Sequence, residues 1–284
     1  MDKRLLPANE RVGWVGAKPM CDAPNLVKGT VKVVTDSLVN ILSSPNGVRI
    51  RQLLYGSRFR VLEEKDNFSF GFSESDGYVG YIESTSLGKK GQSFTHWVSA
   101  LATHVYAKPD IKKEYRKVLS FGSKLEIESA TVDFFKTTDG GYIPKVHLKE
   151  RGTFYSDPAK VAEKFLDVPY LWGGNSCWGI DCSGIIQMAL SSCSIICPGD
   201  SDQQEASFEQ IPTTVNFNRN DLIFWDGHVA LIISSSHLIH ANAFNMSVKV
   251  ELIEKVIERI KFKGDGDFRF CLLTHLTLPT NREV

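Results

Sequence analysis

The sequence predicts an α+β chain: two small β-barrels in tandem, then a mixed domain of helices and antiparallel strands. Three observations predict it. A unit of about 60 residues occurs twice in the first half. Its runs alternate apolar and polar side chains, as half-buried strands do. Past the second copy the texture changes to helical spacing and then to β-branched apolar runs.

The chain has 284 residues, long for one hydrophobic core, so two or three domains are expected. Lys+Arg and Asp+Glu both number 33. A net charge of zero makes no electrostatic case for nucleic acid or an anionic membrane as partner. No run of about 18 apolar residues occurs, so no membrane span is expected. The start, "MDKRLLPANERVGWVG", carries charges and no apolar central region, unlike a secretory signal. Six cysteines in a chain of this length are not a disulfide scaffold, and free thiols in a reducing compartment are expected. Together these point to a cytoplasmic protein.

The expected organisation is an extension over 1–27, β-domains over 28–90 and 91–150, and a catalytic domain over 151–284. In the first β-domain, "ILSSPNGVRIRQLLYGSRFRVLEE" leads to "DGYVGYIESTSL". In the second, "VYAKPDIKKEYRKVLSFGSKLEIES" leads to "DGGYIPKVHL". Each copy has an X-Pro turn, an apolar pair, a Gly-Ser-(Arg/Lys) step and a Gly-Tyr-Ile strand. Many short strands in so few residues predict a small barrel. Phe68, Phe70 and Phe72 alternate at strand period and are expected in the core, with the wall of a groove as the alternative.

The boundary falls near Lys149 to Phe154. Beyond it, Ala159, Ala162, Phe165 and Leu166 lie at helical spacing, with Asp157 as N-cap and Pro158 in the first turn. The stretch "YLWGGNSCWGIDCSGIIQMAL", Tyr170 to Leu190, holds four glycines, two tryptophans and two cysteines. Ile185, Ile186, Ala189 and Leu190 share a helical face, so a helix starts near Cys182. Gly184 in its first turn allows close packing there. A thiolate at a helix N-terminus is stabilised by unpaired N–H groups and the helix dipole, which lowers its pKa. Cys182 is therefore the candidate nucleophile.

The base is sought in "DLIFWDGHVALIISSSHLIHANA". Leu222–Trp225, His228–Ile233 and His237–Ala243 read as strands, with Ser234-Ser235-Ser236 as a turn. If those three residues form the loop, Ile233 pairs with His237 and Ala230 with His240. His228 and His240 then share a sheet face as diagonal neighbours. A two-residue loop puts them on opposite faces. In the catalytic reading His228 is the general base and His240 orients it.

These segments, "YLWGGNSCWGIDCSG", "DLIFW", "GHVAL" and "LIHANA", resemble the NlpC/P60 family of cell-wall cysteine peptidases, which have a papain-like α+β core. The repeated units resemble bacterial SH3-like (SH3b) domains. Tandem SH3b units ahead of this core are similar to the γ-D-glutamyl-L-diamino acid endopeptidase branch, which acts on free peptidoglycan stem peptides. The resemblance implies further site residues. Tyr170 matches a tyrosine beside the nucleophile that orients substrate and helps polarise the carbonyl. Asp181 and Ser183 match positions near the substrate. Asp200 and Ser201, in "CPGDSDQQ", match a loop that binds the substrate's free amino end. Tyr78, in "DGYVGY", is similar to a tyrosine that closes that pocket. One departure stands out: Ser57 occupies a position where relatives often carry Glu. The implied partner is a peptidoglycan-derived peptide, L-Ala-γ-D-Glu-diamino acid, and no cofactor or metal is implied.

The other readings are blander. The Cys177/Cys182 and Cys193/Cys197 spacings fit a zinc clip poorly. A Cys177–Cys182 disulfide is disfavoured as well. Cys21, Cys193, Cys197 and Cys271 are expected as buried small hydrophobes, and Cys177 as a bystander. His237 points away from His240, and His96, His104, His147 and His275 have no partner pattern. "KGDGDF" is expected to be a turn. Two other functions compete: a wall-peptide binding protein with a relic catalytic core, and a thiol acyltransferase or amidase on the same core.

Overall fold

A computed structural model describes residues 2–18, 21–89, 94–211, 216–264 and 266–272. The chain divides into two compact units, Met1–Gly152 and Thr153–Val284. The 90/91 boundary and His275 lie outside the described residues.

In the first unit the sequence repeat carries through to strand order. One sheet runs Arg49–Leu54, Leu38–Leu42, Val79–Glu83, Phe68–Ser73, Arg58–Lys65, Thr30–Val34, Leu87–Lys89. The second copy gives Tyr115–Ser120, Ala102–Tyr106, Tyr142–Pro144, Phe134–Thr137, Ile127–Ala130. Its remaining strands, Lys124–Leu125, His96–Val98 and Leu148–Glu150, form a separate small sheet. Gly56 and Gly122 both take left-handed backbone, at φ 76° and 87°, which only glycine adopts without strain. Their amides bond equivalent carbonyls, Gly56 to Val34 and Gly122 to Val98.

No closed barrel forms among the described residues. Gly56 N donates to Val34 O and Val34 N to Ser57 O, both at 2.9 Å, one residue beyond the Val33–Arg58 pair of two strands already adjacent in the sheet. Each half nevertheless has its own apolar core. Val34, Ile41, Phe59, Tyr78 and Ile82 cluster in the first, and Val98, Val105, Leu119 and Ile143 in the second. Phe70 and Phe72 are buried with Val12, Leu62 and Val79, as core residues. The N-terminal extension covers this patch: Trp14 packs on Phe72 at 5.1 Å between ring centroids.

The second unit begins with α1 (Pro158–Ala162), capped by Asp157, whose side chain accepts from the Ala159 and Lys160 amides. A six-stranded antiparallel sheet follows the order Glu209–Ile211, Arg269–Leu272, Leu222–Trp225, His228–Ile232, His237–Asn242, Ser247–Leu252. One face of it, with Ile223, Trp225, Ala230, Ile232 and Leu238, packs on Ile253 and Val256 of α4 (Ile253–Lys263). The alternate residues Val229, Leu231, Ile239 and Ala241 are fully buried too. Helix α2 (Cys182–Ser191) lies against the strands His228–Ile232 and His237–Asn242. Its face of Ile185, Ile186, Ala189 and Leu190 is wholly buried. Gly264 ends α4 in left-handed backbone, at φ 85°.

Gly184 is the tight point of α2. A Cβ there would stand 2.6 Å from the Gly174 carbonyl oxygen and 3.0 Å from Asp181 Oδ1. Backbone cannot yield as a side-chain tip can. Gly184→Ala gains helix propensity of about 1 kcal/mol but overpacks this contact. A net loss of about 1–3 kcal/mol is expected in urea unfolding. A variant as stable as the wild type would show that the close approach imposes no constraint.

Candidate active site

Asp181 sets the start of α2. Its Oδ1 accepts from the Gly184 amide at 2.6 Å and from Ser183 Oγ at 3.0 Å, and its Oδ2 accepts from the Gly173 amide at 2.9 Å. The carboxylate expected near substrate thus has bonds from both oxygens into the fold, tying the glycine-rich approach to the helix N-terminus. Cys182 is the first residue of α2 and is buried. Its Sγ lies 3.9 Å from the Gly227 carbonyl, immediately before the strand that carries His228. The amides of Val229, Ser183 and Cys182 itself also approach the sulfur.

The strand register places both histidines. Leu231 pairs with Ile239 and Ile232 with Leu238. Ile233 N bonds His237 O at 3.0 Å, leaving Ser234, Ser235 and Ser236 as the loop. The loop is odd in length, and the histidines share a face. His228 Nε2 and His240 Nδ1 are 2.8 Å apart. The strands end one residue short of expectation, at Ile232 and Asn242. His237 bonds Ser236 Oγ and takes no part in this pair.

The sequence reading missed Glu251. His240 Nε2 lies 2.8 Å from Glu251 Oε2. Arg259 of α4 grips the same carboxylate through Nη1 to Oε1 at 2.7 Å and Nη2 to Oε2 at 3.0 Å. Asn245 Nδ2 adds a bond at 2.8 Å. A signal existed in "SVKVEL". His240 pairs with Lys249 and Leu238 with Glu251, so Glu251 is diagonal to His240 on the same face.

The electrostatics correct one expectation. The Cys182 thiol is pushed up to about 12, first by burial and then by the Asp181 charge. The cap that shapes the helix start also puts an anion beside the sulfur, opposing the dipole that favours a thiolate. Burial pushes His228 down to about 3, with the neighbouring His240 acting in the same direction. Burial likewise lowers His240, against the pull of Glu251. Glu251 itself is held at about 2, by its bond from His240 and then by Arg259. The resting site therefore holds a neutral thiol and neutral imidazoles.

The other expected residues fall in different places. Tyr170 is half-buried, and its hydroxyl is pushed upward by burial, then by the charges of Cys182 and Asp181, which places the phenol beside them. Asp200 precedes and Ser201 opens α3 (Ser201–Ser207). That helix is tied to α2 by Gln204 Nε2, which donates to Ser183 O at 2.9 Å and Pro198 O at 3.0 Å. Tyr78 belongs to the other unit, packed in its core with the Arg51 guanidinium 5.6 Å from its ring centroid. Trp172 and Trp178, in the glycine-rich segment before Cys182, are exposed. All six cysteines are free thiols, and Cys21 is half-buried rather than buried.

This cysteine–histidine–histidine geometry sits in a chain whose residues 167–262 match the NlpC/P60 family model. The second unit is an NlpC/P60 domain. Residues 41–87 match the bacterial dipeptidyl-peptidase Sh3 domain, so an SH3-like domain precedes it. Among relatives, dipeptidyl-peptidase 6 of Lysinibacillus sphaericus is 25% identical over 249 residues, 78% of this chain and 92% of that protein. The gamma-D-glutamyl-L-lysine dipeptidyl-peptidase of Bacillus cereus is 30% identical over 203 residues, 62% of this chain and 60% of that one. The crystal structure of an NlpC/P60 family protein from Bacillus cereus superposes with a TM-score of 0.69 at 19% identity. It covers 79% of this chain and 94% of that one, which shows a shared fold.

The buried histidines of the NlpC/P60 domain make its stability acid-sensitive. The His228 pKa is about 3 folded, against an ordinary 6.5. The unfolded chain thus takes up the proton first, and stability falls as pH drops from about 6.5 toward 3. Glu251, held at about 2 against 4.5, adds a loss of the same sign only below about 4.5. Melting temperatures should therefore fall between pH 6.5 and 4.5, and His228→Asn should flatten that interval. Equal slopes for variant and wild type would refute the assignment.

Proposed function

We propose that the chain is a cysteine peptidase that hydrolyses the γ-D-Glu–L-diamino acid bond of peptidoglycan stem peptides bearing a free N-terminal L-Ala. One observation carries the reading: a thiol at the start of a capped helix, beside a strand pair that holds two hydrogen-bonded imidazoles. The NlpC/P60 domain and the dipeptidyl-peptidase relatives support the substrate class.

Cys182 attacks the γ-carbonyl as His228 takes the thiol proton. The C–N bond breaks, a thioester forms, and His228 returns the proton to the leaving amine. Water then attacks the thioester, with His228 again accepting a proton, and an L-Ala-γ-D-Glu dipeptide leaves. The N-terminus of α2, with Tyr170, stabilises the oxyanion. His228 is unprotonated at rest, as a base must be, and the imidazolium formed in the reaction is stabilised through His240. Asp181 acts on the site by fixing the helix start, with Ser183 in the first turn. Asp200 and Ser201 hold the substrate ammonium by a charge-assisted contact. The 91–150 segment is a second SH3-like domain, since its strands follow the order of the first.

The test compares L-Ala-γ-D-Glu-diaminopimelate with its N-acetylated form. The free peptide should be cleaved, and the acetylated one cleaved at least about 100-fold more slowly for want of its ammonium contact. Equal cleavage of both would refute the Asp200/Ser201 pocket. Cys182→Ala should abolish hydrolysis and keep peptide binding. Cleavage persisting in that variant would overturn the nucleophile assignment, and absent cleavage by the wild type would favour a binding protein.

A further inference from the structure

The histidine pair has a direction, and Glu251 sets it. An imidazole has two nitrogens, and in the neutral ring one donates and the other accepts. His228 and His240 face each other across 2.8 Å, so either ring is the donor as far as distance goes. The next contact removes that freedom. Glu251 Oε2 sits 2.8 Å from His240 Nε2. Arg259 grips Glu251 through two bonds, and Asn245 Nδ2 donates to it as well. Every one of these groups presents an N–H, so the carboxyl is an ionised acceptor. His240 Nε2 must then carry the proton, and its Nδ1 is left bare. A bare Nδ1 accepts from His228, so His228 Nε2 carries the proton. The nitrogen left without one is His228 Nδ1.

We propose that Glu251, clamped by Arg259 and Asn245, is a positioning residue that fixes the tautomers of both histidines and so leaves His228 Nδ1 bare as the base for Cys182. The inference rests on the peptidase reading above for its catalytic consequence, but the tautomers themselves exist without turnover. Besides Glu251, the charged group acting on both rings is Arg259 on α4; Cys182, Asp181 and Tyr170 act on one another. Among the described residues in contact with the two rings, only the Glu251 carboxylate dictates which nitrogen bears hydrogen. The geometry requires the two rings and the carboxylate to share one sheet face, which the register provides. When His228 takes the thiol proton, the new positive charge lies one imidazole away from the carboxylate, which stabilises it there. No net proton needs to reach Glu251.

The experiment reads ring tautomers by 15N NMR on the full chain with 15N-labelled histidine near neutral pH. Wild type should show both His228 and His240 protonated at Nε2 and bare at Nδ1. Glu251→Gln offers an amide that can turn its NH2 toward His240. That turn favours the opposite tautomer on both rings. The variant should show mixed or reversed tautomers. Its kcat should fall by about 100-fold or more, as losses from a wrong tautomer reach about 10^4-fold elsewhere, while KM changes by only a few-fold. Wild-type His240 protonated at Nδ1 would overturn the proposal by itself, even if the variant fails to fold. Unchanged tautomers and kcat in a folded Glu251→Gln would overturn it too. If wild type hydrolyses no peptide, the peptidase reading fails, and the spectrum still decides the tautomers.

Discussion

The hydrogen bond between His228 and His240 is the constraint on which the site depends. It forms because three serines, and not two, join the strands that carry them. A hairpin loop sets register, and register sets which residues share a face. A one-residue slip would put His240 on the opposite side of the sheet, and no side-chain adjustment could restore the contact. The geometry of the histidine pair is thus encoded in backbone pairing before any polar interaction is made.

The cost of this arrangement is electrostatic. A thiol, two imidazoles and a tyrosine are drawn out of water within one site, and burial disfavours the charged form of each. The domain answers with neutral resting states and with one ionised carboxylate, Glu251, which keeps enough exposure and enough donors to stay charged. Asp181 is the second anion, and its bonds go to the Gly173 and Gly184 amides and the Ser183 hydroxyl. Holding the helix start in place puts a negative charge beside the sulfur. The helix therefore supplies N–H groups for a developing oxyanion more than it supplies a pre-formed thiolate.

Much of this was legible in the sequence. The Asp157-Pro158 cap, the start of α2 at Cys182 and the shared face of the histidines follow from local rules of spacing and loop length. The repeat read from the sequence of the first unit recurs as a shared strand order. Glu251 was harder to see because it belongs to a strand, Ser247–Leu252, whose pattern reads as an ordinary amphipathic edge. Its role appears only when that edge is paired to His237–Asn242 and α4 brings Arg259 over it.

The boundary between the two kinds of knowledge is physical. Local sequence determined what the chain can form: turns from Gly and Pro, caps from Asp, faces from periodicity, a cysteine at a helix start. These depend on interactions within a few residues. Tertiary structure decided what those parts do to one another's charges. Only packing shows that Asp181 opposes the thiolate and that burial keeps His228 neutral. Desolvation and charge–charge coupling depend on distance in space, and distance along the chain does not report it.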